Sequence, residues 1–307
     1  MALHDLTALE QASAIRAGET SSEELVRHYL DRAHRLNDAV GAYALISDEL
    51  ALAQAAAADA SVRDARTRGA VEALPVLHGV AVPVKDLNNV AGVRTRYGSR
   101  AVDVVPSVDD DVVVELRAGG TVMLGKTTTP EFGLPAYTES DIGPYARTPW
   151  DLSRGAGGSS GGAAAAVSAG LAPIAHGSDG GGSIRIPASS CGLVGLKPSR
   201  GLVSGGPQPE GLGQLGVEGV LARTVADAAA LIGVMAGRDR VYVEKLADPG
   251  VLAIGWYHRP VIADTDVDPE ALRAFEDARD LLESLGHRLV EVSVPIPLSA
   301  VPHFELV

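Results

Sequence analysis

The stretch AGGSSGGAAAAVSAGLAPIAHGSDGGGSIRIPASSCG, residues 156 to 192, sets two glycine-flanked serines, Ser159 and Ser183, on either side of one apolar segment. The longest small-apolar run within it, 163–175, contains Ser168, Gly170 and Pro173 and is too short to cross a bilayer. The pattern predicts a helix over about 161–170, a strand near 172–177 and a short helix starting at Ser183. The same alternation continues outward. LHGVAVPVKD (77–86) and TVMLGKT (121–127) read as strands, and DDDVVVELRAGG (109–120) reads as a helix with acids in its first turn. A helix is predicted near 224–236, and DPEALRAFEDARDLLESLG forms an amphipathic helix before the strand-like HRLVEVSVPI. Ahead of all this, Thr20 or Ser21 with Glu23 or Glu24 makes a capping box, and 51–70 is strongly helix-prone. An α/β sheet covered by helices, with a helical N-terminal segment, accounts for this order.

Composition removes several function classes. With 307 residues and 46% of them hydrophobic, the chain buries a sizeable core. A formal charge of −13 and the lack of a dense Lys/Arg block argue against nucleic acid or an anionic membrane as partner. One cysteine, Cys191, builds no disulfide framework, and MALHDLTALEQ lacks the order of a signal peptide, so the cytoplasm is the expected compartment. The scattered histidines, without HExxH, predict no metal. Two nucleotide-type motifs are set aside. GTVMLGKT (120–127) fits the phosphate-loop pattern by letter, but its middle residues are strand-like and Pro130 follows. GLGQLG (211–216) has no strand running into it and no capped helix leaving it.

Glycine does two jobs near a reactive hydroxyl: it permits unusual backbone angles, and it lets consecutive N–H groups approach a substrate oxygen. GGGS (180–183) suits the second job, with the N–H groups of Gly180, Gly181, Gly182 and Ser183 around one carbonyl at a helix start. Such an arrangement serves acyl transfer. By composition alone, the same letters also describe a Gly/Ser-rich surface loop.

The segment GGSSGGAAAAVSAGLAPIAHGSDGGGSIRIPASSCGLVGLKPSRG resembles the signature of the amidase signature family of serine hydrolases, in its bacterial stand-alone branch. The resemblance extends to LHGVAVPVKDLNNVAGVRTRYGS, LRAGGTVMLGKTTTPEFG, GPYARTPWD and VLARTVADAAALI, most of 75–237. It implies a mixed β-sheet with helices on both sides and a single domain over 1–307. Within it, 1–74 is helical, 75–237 is the signature core and 238–307 begins a C-terminal part whose remainder is absent. It also implies an amidase without cofactor, cleaving carbon–nitrogen bonds of a small-molecule amide. Lys85 in PVKD would be the base, Ser159 a serine in a cis peptide and Ser183 the nucleophile, with Gly180, Gly181 and Gly182 as the oxyanion donors.

Physical chemistry is compatible with that assignment. A serine hydroxyl needs a base at neutral pH, and a lysine serves only when neutral, which burial favours. Ser159 would pass the proton from Ser183 to Lys85 and return it to the leaving amine. From spacing alone, Lys126 and Lys197 rival Lys85, and Ser160 rivals Ser159. Asp179 and Arg185 resemble the family's supporting pair and would brace the oxyanion loop, a surface ion pair being the other reading. His176 reads as a packed or substrate-lining residue and Cys191 as a small buried one. Gly180 stands where the family often has threonine. The N-terminal helices offer a homodimer surface by analogy. Two alternatives stand beside hydrolysis. One is membership of a glutamine-dependent amidotransferase, although the resembling proteins of that kind read YGRVSRYGL where this chain has SRGLVSGGPQPEGL. The other is a catalytically incomplete scaffold.

Overall fold

The structure, a computed structural model, describes residues 2–207, 215–246, 249–258, 260 and 266–293. Residues 211–214 of GLGQLG and the final residues of HRLVEVSVPI lie outside these. Two compact units emerge, Met1–Glu244 and Lys245–Val307, where the sequence reading has one domain.

The first unit opens with two capped helices. In α1 (Ala8–Ala17) the Thr7 hydroxyl accepts from Glu10 N–H and the Glu10 carboxylate accepts from Thr7 N–H, a full capping box that the sequence reading does not include. α2 (Ser22–Val40) is capped by Ser21, but the box there is only half formed. Ser21 Oγ accepts from Glu24 N–H at 3.0 Å, while the Glu24 carboxylate accepts from the Thr20 hydroxyl at 2.8 Å. β1 (Tyr43–Ile46) and α3 (Asp48–Thr67) follow.

The strand expected at 77–86 is an interrupted ladder. Val82 N–H donates to Val122 C=O and Val122 N–H to Val80 C=O, and regular pairing resumes as β2 (Val84–Lys85) on β3 (Gly125–Thr127). Pro83, which has no N–H to give, sits at the break. Helix α4 (Asp111–Ala118) lies between these strands in sequence. β1 pairs antiparallel with β3, so the first sheet runs β1-β3-β2 and is mixed.

A second sheet is antiparallel. β4 (Ile174–Asp179) and β5 (Val194–Leu196) flank β6 (Val217–Ala222), a strand the sequence reading does not assign. The expected mixed sheet is thus two three-stranded sheets, which meet where His176 N–H donates to Pro83 C=O at 3.2 Å.

Strand alternation supplies both faces with apolar side chains. Ala175 and Leu221 join one core cluster with α2 and α5 (Gly161–Ser168), together with residues of α6 (Arg185–Cys191). Val84, Ile174, Val220 and Ala222 join a second cluster with α4 and α7 (Val225–Met235). The fold is therefore a mixed α/β architecture with helices on both faces. Among the described residues, no helix is long and apolar enough to cross a membrane.

Helix α5 enters the core with no spare space. A Cβ on Gly162 would lie 2.4 Å from Thr128 N and 2.6 Å from Ala42 O, both backbone atoms that cannot swing aside. Gly162→Ala is expected to destabilise the fold by about 3 kcal/mol, read as a lower urea midpoint at unchanged slope.

The second unit is a βαβ element: β7 (Ala253–Trp256), α8 (Pro269–Ser284) and β8 (Arg288–Glu291). β7 and β8 pair in parallel, which requires a crossover, and α8 supplies it. Asp268 caps α8 by accepting from Glu270 N–H, with Pro269 in the first turn.

Candidate active site

Lys85 ends β2 with its side chain fully enclosed. Its Nζ donates to Ser159 Oγ at 2.8 Å, to Ser178 Oγ at 3.1 Å and to Ser178 O at 3.4 Å. Burial pulls the amine down to about 7, against the opposing charges of Glu218 and Asp179. A lysine in this surrounding exchanges its proton near neutral pH. The rival lysines are engaged elsewhere. Lys126, also buried, pairs with Asp86 at 2.8 Å and donates to Asn88 O and Thr95 Oγ1. Lys197 donates to Pro198 O. The GKT letters of the phosphate-loop pattern are strand β3.

Ser159 is buried, and the Gly158–Ser159 peptide is cis. The glycine before it is required by contact: a Cβ on Gly158 would lie 2.6 Å from Tyr137 N and 2.8 Å from Ala136 C. Gly157 turns the chain at φ +74°. Ser160 has a different task from its neighbour. Its hydroxyl donates to Ser178 O at 3.1 Å and accepts from Ser178 N–H at 3.3 Å, and its own N–H donates to Ser183 O at 3.1 Å. Ser160 therefore ties the serine loop to β4 and to the Ser183 loop.

Ser183 is half-buried at the end of the loop between β4 and α6. The helix starts two residues later than the sequence suggests, at Arg185. Asp179 explains the delay. Its carboxylate accepts from Gly182 N–H at 2.7 Å and from Ile184 N–H at 3.2 Å, which holds 180–184 as a turn. Gly182 N–H is consequently committed to Asp179, which removes it from the expected oxyanion set. Among the described residues, the N–H groups of Gly180, Gly181 and Ser183 have no partner.

Arg185 clamps the same carboxylate in two places, Nε to Oδ2 at 2.9 Å and Nη2 to Oδ1 at 3.0 Å. Burial works against ionisation of Asp179, but Arg185 and the two N–H donors hold its carboxyl below the usual range. The pair is not a surface one, because the Asp179 side chain is enclosed even though Arg185 reaches solvent. Gly180 is exposed, and a Cβ there would meet nothing closer than 3.9 Å.

Three residues at this site are absent from the sequence reading. Ser178 touches the lysine amine directly, Glu218 takes the His176 ring at 2.7 Å, and Asn88 Nδ2 donates to Glu218 Oε1 at 3.1 Å. The available signal was register: Ser178 lies opposite Glu218, and His176 opposite Val220. Cys191 is buried, with its thiol pushed up to about 11 by burial, which disfavours the thiolate a nucleophile needs.

This constellation can be set against known proteins. The family described as Amidase matches residues 24–307. The chain is 40% identical over 300 residues to a putative amidase of Synechocystis sp., which covers 93% of this chain and 58% of that protein. It is also 40% identical over 302 residues to the putative amidase AmiB2 of Mycobacterium bovis, covering 97% of this chain and 64% of the other. A component of the glutamyl-tRNA(Gln) amidotransferase of Chromohalobacter salexigens matches at 40% identity over 318 residues, 99% of this chain and 64% of its own. Among solved structures, 6-aminohexanoate cyclic dimer hydrolase superposes with a TM-score of 0.83 at 33% identity, over 98% of this chain and 62% of that one. The chain thus spans roughly three-fifths of the length of the relatives it matches. A family match over nearly the whole chain, joined to the same α/β architecture, places this protein in the amidase family.

Proposed function

We propose that the protein hydrolyses carbon–nitrogen amide bonds through an acyl-enzyme on Ser183. The observation that carries this reading is the buried Lys85 Nζ, 2.8 Å from Ser159 Oγ, in surroundings that bring the amine down to about 7. A neutral amine accepts a proton. The contact then runs in reverse, with the Ser159 hydroxyl donating to the Nζ lone pair while Ser159 Oγ takes the proton from Ser183.

Ser183 Oγ attacks the amide carbonyl carbon, and the new oxyanion faces the unpaired N–H groups of Gly180, Gly181 and Ser183. The proton held on Lys85 returns through Ser159 to the leaving nitrogen, the C–N bond breaks, and amine or ammonia departs. Water then adds to the ester carbonyl, giving its proton along the same path. The carboxylic acid leaves and Ser183 regains its hydrogen. Asp179 and Arg185 keep the donor loop in shape throughout.

The amidotransferase reading shares the first half of this sequence, and similarity at 40% to a component of one such enzyme keeps it in view. Trapping separates the outcomes. Incubation with hexanamide, benzamide and an N-terminally blocked dipeptide amide, in hydroxylamine, is expected to yield hydroxamates together with carboxylates. Carboxylate without hydroxamate would argue against a free acyl-enzyme. No product from any of the three would contradict amide hydrolysis by this chain.

A further inference from the structure

Behind the lysine lies a polar chain that the catalytic steps above do not use. β4 and β6 pair antiparallel with Ser178 opposite Glu218, so Ile174, His176, Ser178, Glu218 and Val220 project from one face of the sheet. His176 is fully enclosed there, and its backbone N–H and both ring nitrogens are engaged. Its N–H donates to Pro83 O, its Nδ1 accepts the backbone N–H of Lys85 at 3.2 Å, and its Nε2 meets Glu218 Oε2 at 2.7 Å. Because Nδ1 accepts, the ring proton is on Nε2 and is donated to Glu218.

Glu218 is fixed from its other side too. Asn88 Nδ2 donates to Oε1 at 3.1 Å, and Asn88 N–H donates to Lys85 C=O at 3.1 Å. The residue that braces Glu218 therefore also holds the strand end that carries the lysine. Lys85 is gripped at both backbone polar groups, N–H by His176 and C=O by Asn88, and both of these partners converge on a single carboxylate. Only 13% of the Glu218 side chain is exposed, so its charge is poorly screened. A core strand position costs less when filled by an apolar residue, and a buried acid at 218 calls for a reason.

We propose that Glu218, held by His176 and Asn88, is a positioning residue that acts on the reaction through Lys85, fixing the end of its strand and placing a negative charge behind its amine. The inference rests on the reading of Lys85 as proton acceptor. A wholly desolvated lysine would be neutral at every physiological pH but too weak a base to draw a proton through Ser159. A carboxylate nearby restores basicity and sets the pH at which the amine becomes available.

The charged groups around Lys85 are few. β6 brings Glu218, β4 brings His176 and Asp179, and β3 brings Lys126, already paired with Asp86. Asp110 accepts from Asn88 Nδ2 at 3.3 Å and lies next along the chain of contacts. Burial opposes ionisation of Glu218, but His176, Asn88 and Lys85 together keep its carboxyl below the usual range, so its charge persists through neutral pH. Asp179 is clamped by Arg185, which offsets its effect on the lysine. Glu218 is held instead by the His176 ring and the Asn88 amide, with the Lys85 ammonium acting on it from nearby.

The test follows the rate of Ser183 phosphonylation by a biotinylated fluorophosphonate from pH 5 to 9 in wild type and Glu218→Gln, with the site read by peptide mass. Wild type is expected to label faster as pH rises through the lysine midpoint. In Glu218→Gln that midpoint should fall by about one pH unit, raising the fraction of its own plateau rate at pH 6 about fivefold. A residue with only a structural role would lower the plateau and leave the midpoint in place. An unchanged or higher midpoint would overturn the inference. Absence of Ser183 labelling in wild type at any pH would instead overturn the reading of the triad, so the two failures are distinct. Should the variant fail to fold, wild type labelled with 13Cδ-glutamate serves. The Glu218 signal, identified through its contact with the His176 ring, should inflect at the labelling midpoint. A flat response from pH 5.5 to 8.5 would contradict the proposal.

Discussion

Ser183→Ala is expected to reduce amide turnover on the order of a million-fold, to the level of detection, while leaving the thermal midpoint and far-UV circular dichroism unchanged. The fold should tolerate the change because the loop is held by groups that alanine keeps. Ser183 C=O still accepts from Ser160 N–H at 3.1 Å, and Asp179 still holds Gly182 and Ile184 by their backbones. The loss would lie wholly in chemistry. Without Oγ the proposed acyl-enzyme cannot form, and a carbonyl held by the proposed N–H donors of Gly180, Gly181 and the residue at 183 would meet no nucleophile. A residual rate above one hundredth of wild type, on protein free of contaminating amidase, would move the nucleophile elsewhere.

Lys85→Met should have two effects that move independently. Turnover is expected to fall about a thousandfold or more, because in the proposed relay Ser159 loses the group to which it passes the proton. Stability should change with pH in the opposite sense from a surface lysine. In the folded protein the amine is pulled from 10.5 down to about 7, whereas in the unfolded chain it keeps its ordinary value. Between those values the unfolded state binds more protons than the folded one, so wild-type stability rises with pH. The rise should be about 1.4 kcal/mol per pH unit from pH 8 to 10, measured as the difference between wild type and Lys85→Met in urea unfolding. Below pH 7 both states are protonated and the difference should level off at its least favourable to wild type. A difference that does not change between pH 8 and 10 would show that Lys85 is not held in a desolvated place.

What can be read in the sequence, and what cannot, separates by range. Ser159 and Ser183 are legible because each sits in a short string whose glycine and serine spacing is unusual, whereas Lys85 stands apart from Lys126 and Lys197 only through the family resemblance of PVKD; the fold brings Lys85 and Ser159 within 2.8 Å. Helices α5, α7 and α8 are legible from periodicity and caps. The failures need partners distant in sequence. β1 is four residues between two helices, and only its pairing with β3, about eighty residues on, makes it a strand. β6 carries glycine and glutamate at positions that spoil an apolar run, since Glu218 faces His176 and a Cβ on Gly219 would lie 2.3 Å from Leu196 O. Ser178 and Asn88 look like ordinary loop or strand-end residues until β2, β4 and β6 meet. One N–H of the expected oxyanion set is taken for a local reason: an aspartate three positions before a glycine captures its N–H, and Asp179 does so to Gly182.

The central claim is that Ser183 is a nucleophile activated through Ser159 by a neutral Lys85. The most direct measurement is stoichiometric labelling of the purified 307-residue chain with a fluorophosphonate at pH 8, followed by peptide mapping, in wild type and Lys85→Met. The account predicts one label per chain, on Ser183, lost in Lys85→Met although that variant remains folded. Label on another residue, equal labelling of both proteins, or no label on folded wild type would contradict it.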